Sequence, residues 1–91
     1  MPGTGLQTLK VLSVEDNLHM RALLRSLLNS SGMRDIYEAA EGETALEQLR
    51  IRKCDFILCD LAMKPLNGLD FTREVRKSEK SVNPFVPIIM I

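Results

Sequence analysis

Tryptophan is absent from this chain of 91 residues, and one Tyr and three Phe are its only aromatics. Its core must therefore be built mainly from aliphatic side chains. No charge of one sign dominates: twelve basic residues balance twelve acidic ones. That excludes a basic footprint for nucleic acid and an acidic tail. The only cysteines, Cys54 and Cys59, lie too close together for a disulfide framework and read as reduced thiols of a cytosolic protein. No apolar run approaches the roughly 20 residues of a membrane span. Met1 to Lys10 lacks the charged start and apolar stretch of a signal peptide. The length allows one domain at most.

What is present is alternation. Residues 1–8 read as an aperiodic lead-in. Leu9 to Val14 is a run of strand formers. From Leu18 to Asn29 a helix is expected, because Met20, Leu23, Leu24, Leu27 and Leu28 recur at helical spacing. Asp16 or Asn17 can cap it, and Gly32 follows its end. Ile36 to Ala40 reads as a second strand. Glu43 to Arg52 reads as a second helix with Ala45, Leu46 and Leu49 on one face. Phe56 to Cys59 is continuously apolar, as in a strand covered on both faces. Met63 to Gly68, with Pro65, must be a loop. Leu69 to Arg76 carries Leu69, Phe71 and Val75 as a third helix. Lys77 to Pro84 is polar and breaks the pattern, and Val86 to Ile91 is a fourth strand. Such alternation predicts an α/β domain with a parallel sheet and crossover helices.

Two of the strands end in acids: Glu15 and Asp16 after the first, Asp60 after the third. Ligands of open α/β sheets bind beyond the carboxyl ends of the strands. If the first and third strands are neighbours, about 4.8 Å apart, three carboxylates crowd one edge. They cannot all stay ionised without a counter-charge. Mg²⁺ suits such a place, because it takes oxygen ligands and keeps waters that a phosphate oxygen can replace. An aspartate beside the metal can accept a phosphoryl group while the metal offsets the charge in transfer. Taken singly, each acid has a plainer explanation. Asp16 serves equally well as a helix N-cap, Glu15 as a first-turn acid, and Asp60 as a solvated loop residue. All three together point to a site.

The blocks VLSVEDN (Val11 to Asn17), FILCD (Phe56 to Asp60) and Met63 to Gly68 resemble the signature blocks of response-regulator receiver domains, in spacing as well as content. The pairs Met20-Arg21 and Leu27-Leu28 bring the chain nearest to the single-domain chemotaxis regulators. The resemblance implies a flavodoxin-like, doubly wound parallel sheet over residues 1–91, cut to four strands in the order 2-1-3-4 with three helices. It implies Asp60 as phosphoacceptor, and Mg²⁺ (or Mn²⁺) held by Glu15, Asp16, Asp60 and the backbone carbonyl of Ala62. Gly68 would open the third helix. A histidine kinase or phosphotransfer protein would be the donor, in the cytoplasm, and the chain itself would not be an enzyme.

There are departures from the family pattern. Glu15 stands where Asp is frequent. Ala62 offers no side chain to steer an attacking water, and Lys64-Pro65 replaces a proline directly after the methionine. The family's C-terminal helix-strand-helix, with its Thr or Ser and its Lys, is not in this chain. Slower phosphorylation and self-association through the fourth strand are therefore expected. A phosphorylation-impaired binding module is the alternative. A haloacid-dehalogenase-type phosphatase would need a second Asp where Ala62 stands.

Other residues have plainer roles. His19 is expected at the surface near the acids, Cys59 as a packed hydrophobe, and Met63 and Met90 as fillers. Arg50 to Lys53 reads as a solvated helix end, and Gly3 and Gly5 do not form a phosphate loop.

Overall fold

A computed structural model describes residues 5–63, 67–77 and 84–91. Its elements are α1 (Gly5–Thr8), β1 (Lys10–Val14), α2 (Leu18–Ser30), β2 (Asp35–Ala39), α3 (Gly42–Ile51), β3 (Phe56–Cys59), α4 (Gly68–Lys77) and β4 (Ile88–Met90). The four strands form one parallel sheet in the order β2-β1-β3-β4, the order the resemblance implies. Lys64-Pro65 and the polar stretch 78–83 lie outside the described residues.

Two elements differ from expectation. Residues 5–8 form a helical turn instead of a loose lead-in, and four residues are too few for periodicity to register. The fourth strand is three residues long, not six. Pro87 has no N–H to give the ladder, and Arg76 Nη1 takes the Val86 carbonyl at 2.6 Å. Ile91 still donates to the Cys59 carbonyl at 2.9 Å, beyond the strand's assigned end.

The ends of α2 are set by local chemistry. Asn17 Oδ1 accepts from the Met20 N–H at 2.9 Å, which makes Asn17 the N-cap. At the other end Gly32 adopts φ 101°, a conformation costly for residues with a Cβ. Met33 N–H then reaches back to the Leu28 carbonyl, and Gly32 N–H to that of Asn29, the paired bonds of a Schellman motif.

The sheet's two faces are covered unequally. Leu12, Val14, Ile57 and Cys59 face α3 and α4, packing with Ala45, Leu49, Phe71, Val75, Met63 and Val86 in one buried cluster. On the opposite face lies α2, which contacts β1 and β2. None of its residues is fully buried: Leu24 and Leu28 are half-covered, while Met20, Leu23 and Leu27 stay exposed. The apolar stripe of α2 is thus wider than the sheet surface it meets. Ile89, on that same face of β4, is also exposed.

One ion pair ties α2 to the sheet. Arg25 donates from Nε and Nη2 to both Glu38 carboxylate oxygens, at 2.8 and 2.7 Å. This pairing holds the Glu38 carboxyl below its ordinary value of 4.5. A depressed folded-state value gives stability that is present above the unfolded-state value and lost as pH falls through the folded one. Glu38→Gln should therefore lower the thermal midpoint at neutral pH. In melts at successively lower pH, the gap to the parent chain should close below the ordinary glutamate range.

Candidate metal centre at the carboxyl edge of the sheet

The site follows from strand register. Val14 of β1 lies opposite Cys59 of β3, so the next residues, Glu15 and Asp60, leave the sheet side by side. The ladder continues past the strands: Asp60 N–H donates to the Val14 carbonyl and Glu15 N–H to that of Ala39, both at 3.0 Å. Asp16 follows in the turn to α2. Because Asn17 does the capping, the Asp16 carboxylate is not used up as a cap. One carboxylate oxygen from each of Glu15, Asp16 and Asp60 lies within 4.8 Å of the other two. The three acids singled out in the sequence are thus brought together.

Their environments differ. Glu15 is buried, Asp60 half-buried and Asp16 exposed. Burial pushes the Glu15 carboxyl above its ordinary range. The Asn17 N–H, donating to Oε2 at 3.1 Å, pulls it back, while Asp60 and Asp16 add to the rise. Asp60 Oδ1 accepts from the Ala62 N–H at 3.0 Å. Ala62 itself is exposed, and its methyl group reaches no further into the site. A groove of about 470 Å³ opens beside the acids, lined by Glu15, Asn17, His19, Met20, Leu23, Asp60 and Ile91. Among the described residues no Lys or Arg lines it. Carboxylate oxygens crowded in this way fit a hard divalent cation that takes few carboxylates and retains water.

The other residues weighed fall into place. His19 is exposed at the groove's rim. Cys59 is fully buried, and burial together with the charges of Asp60 and Glu15 pushes its thiol up to about 12. Its Sγ donates to the Asp60 carbonyl at 3.6 Å, so it is packing, as expected. Burial raises Cys54 to about 11. Met63 is a core residue, and Met90 is partly buried against the same cluster.

Two contributors escaped the sequence reading. Arg21 Nη1 donates to the Glu15 carbonyl at 2.8 Å. Gly68 does open its helix, as expected, but it also sits directly on the Asp60–Leu61 backbone. A helix periodicity pattern reveals neither contact, since both link segments brought together only by folding.

Fold and acidic edge together define an α/β module with three carboxylates gathered at the carboxyl edge of a parallel sheet, and comparison with known proteins gives its family. Residues 11–91 match the response regulator receiver domain. The chain is 34% identical over 83 residues to the chemotaxis protein CheY of Pseudomonas aeruginosa, covering 91% of this chain and 65% of that one. It resembles the receiver domain of the Arabidopsis thaliana histidine kinase CKI1, solved with Mg²⁺ and BeF₃⁻, with a TM-score of 0.82 and 30% identity over 93% of this chain and 66% of that one. A sensor histidine kinase receiver domain from Pseudomonas aeruginosa, with magnesium in its active-site cleft, gives 0.79 and 33% over 90% and 65%. The chain belongs to the response-regulator receiver family, whose members are signalling modules of two-component systems. It spans about 65% of the length of the CheY relative it matches.

Gly68 shows how closely the loop is packed against the site. A Cβ there would lie 2.7 Å from Met90 Sδ, 2.8 Å from the Asp60 carbonyl oxygen and 2.9 Å from Leu61 Cα. The methionine can move aside, but the two backbone atoms cannot without shifting Asp60. Gly68→Ala should therefore destabilise the chain by about 1–3 kcal/mol, the usual cost of overpacking. Denaturant titration would measure it.

Proposed function

We propose that this chain is a phosphoacceptor domain of a two-component phosphorelay, taking a phosphoryl group from a histidine kinase or phosphotransfer protein onto Asp60. The observation that carries the reading is the convergence of the Glu15, Asp16 and Asp60 carboxylate oxygens within 4.8 Å. Mg²⁺, or Mn²⁺ in its place, would be held by these three and by the carbonyl of Ala62. When bound, the metal offsets negative charge on the phosphoryl oxygens.

The chain's own groups do the rest. The Ala62 N–H holds Asp60 Oδ1 and leaves the second oxygen available as nucleophile. That oxygen forms the new bond to phosphorus as the phosphorus–nitrogen bond of the donor's phosphohistidine breaks. The imidazole departs, taking up a proton, and an acyl phosphate remains on Asp60. Ala62 presents no polar side chain to direct water at this product. On this reading residues 1–91 supply the acidic part of a receiver, act in the cytoplasm and pass on a signal instead of turning over a substrate. Among the described residues no helix is long and apolar enough to cross a membrane.

Incubation with a small phosphodonor and Mg²⁺ should label Asp60, as located by mass spectrometry of peptides. Asp60→Asn should abolish labelling, and chelation of Mg²⁺ should stop it. Asp16→Ala should weaken Mg²⁺ binding more than about ten-fold in calorimetry. A phosphoryl group found elsewhere, with Asp60 unmodified, would refute the assignment.

Self-association belongs to the same proposal. Pro87, Ile89 and Ile91 lie at the β4 positions that bond to β3, so Ile88 and Met90 turn their N–H and C=O groups outward. Two β4 strands running antiparallel about Ile89 could join Ile88 of each copy to Met90 of the other. That pairing would also bring the exposed Ile89 side chains together, and unprotected edges of this kind attract other chains. Sedimentation should show a dimer at high micromolar concentration and a monomer for Ile89→Lys. A cooperative parent monomer under those conditions would rule the pairing out.

A further inference from the structure

The residue in question is Arg21, on α2. From Lys10 to Val14, each residue of β1 pairs with a residue of β2, from Asp35 to Ala39. The Glu15 N–H extends that ladder to the Ala39 carbonyl. The next bond would bring the Glu41 amide to the Glu15 carbonyl. At that point the chain has already turned into α3, with Glu41 at its N-terminal boundary. Glu15 is 4% exposed, and a carbonyl left unpaired at such a place is costly. The guanidinium of Arg21 supplies the missing donor, at 2.8 Å.

The arrangement is selective. Arg25, one turn further along α2, occupies both oxygens of Glu38. Arg21 is also close enough to Glu38 to favour its ionised form, yet its hydrogen bond goes to the backbone at the end of β1. Its own N–H is bound to the Asn17 carbonyl at 2.9 Å, so the helix start and the turn are joined twice through one residue. The bonded carbonyl belongs to the peptide plane linking Glu15 to Asp16. Fixing that plane holds in place the two Cα atoms from which both carboxylates extend.

We infer that Arg21 is a positioning residue for the metal site: by bonding the Glu15 carbonyl it sets the mutual orientation of the Glu15 and Asp16 carboxylates. This rests on the metal-site reading above. The role has a signature that general stabilisation lacks. Mg²⁺ demands near-ideal octahedral geometry, whereas Ca²⁺ accepts irregular and variable coordination. Misaligned carboxylates should therefore penalise Mg²⁺ more than Ca²⁺. A change that only loosened the fold would weaken both alike.

The test is calorimetric titration of the full chain with Mg²⁺ and separately with Ca²⁺, for the parent, Arg21→Met and Arg21→Lys. Thermal melts without metal would monitor the fold. Arg21→Met should lose roughly ten-fold in Mg²⁺ affinity, the scale typical of groups that orient metal ligands, with a clearly smaller loss for Ca²⁺. Arg21→Lys keeps a cationic donor and should recover part of the Mg²⁺ loss. If Arg21→Met fails to fold, the Mg²⁺-to-Ca²⁺ ratio of Arg21→Lys decides, and it should lie below the parent's. Equal losses for the two ions, or none, would overturn the role of Arg21 while leaving the metal site standing. A parent chain that binds no Mg²⁺ would overturn both.

Discussion

The register of β1 against β3 is the constraint on which the rest of this structure depends. With Val14 opposite Cys59, the two strands release Glu15 and Asp60 at the same level, and Asp16 is one residue further on. Strand spacing then forces like charges close together at an edge where the backbone still needs hydrogen bonds. A shift of one residue would turn every side chain of one strand to the opposite face and separate the acids. Burial of Val11 through Val14, and of Ile57 and Cys59, opposes such a slip. The same apolar packing that stabilises the sheet therefore assembles the acidic group.

Around that group, several neighbours each relieve it of a competing task. Asn17 caps α2, so Asp16 does not have to. Arg21 satisfies the Glu15 carbonyl but does not neutralise the carboxylates. Gly68 allows the start of α4 to lie against the Asp60–Leu61 backbone, and its N–H donates to the Leu61 carbonyl at 3.0 Å. Among the described residues no Lys, Arg or His forms an ion pair with these carboxylates. Such an arrangement is unfavourable for the chain alone and favourable for a bound cation.

The two faces of the sheet show a second division. The side packed by α3 and α4 is a continuous aliphatic cluster around Phe71, as the scarcity of aromatics requires. The α2 side leaves Met20, Leu23, Leu27 and Ile89 exposed, and the acidic groove opens onto it. Chemistry and uncovered apolar surface thus lie next to each other, between α2 and β4.

Much of this was legible in the chain itself. Alternating apolar runs and helical spacing located every strand and three of the helices, because those periods follow from backbone geometry alone. The acids at Glu15, Asp16 and Asp60 stood out because each follows an apolar strand. The strand order came from family resemblance, since spacing says nothing about which strands are neighbours. Only the tertiary structure decided that Asn17, and not Asp16, caps α2, that Arg21 turns to a backbone carbonyl, and that Gly68 touches Asp60. It also decided which leucines of α2 are covered: the helical period marks an apolar stripe, but the width buried depends on the surface opposite. Periodicity is a property of neighbours along the chain, whereas these contacts join residues that become neighbours only when the sheet forms.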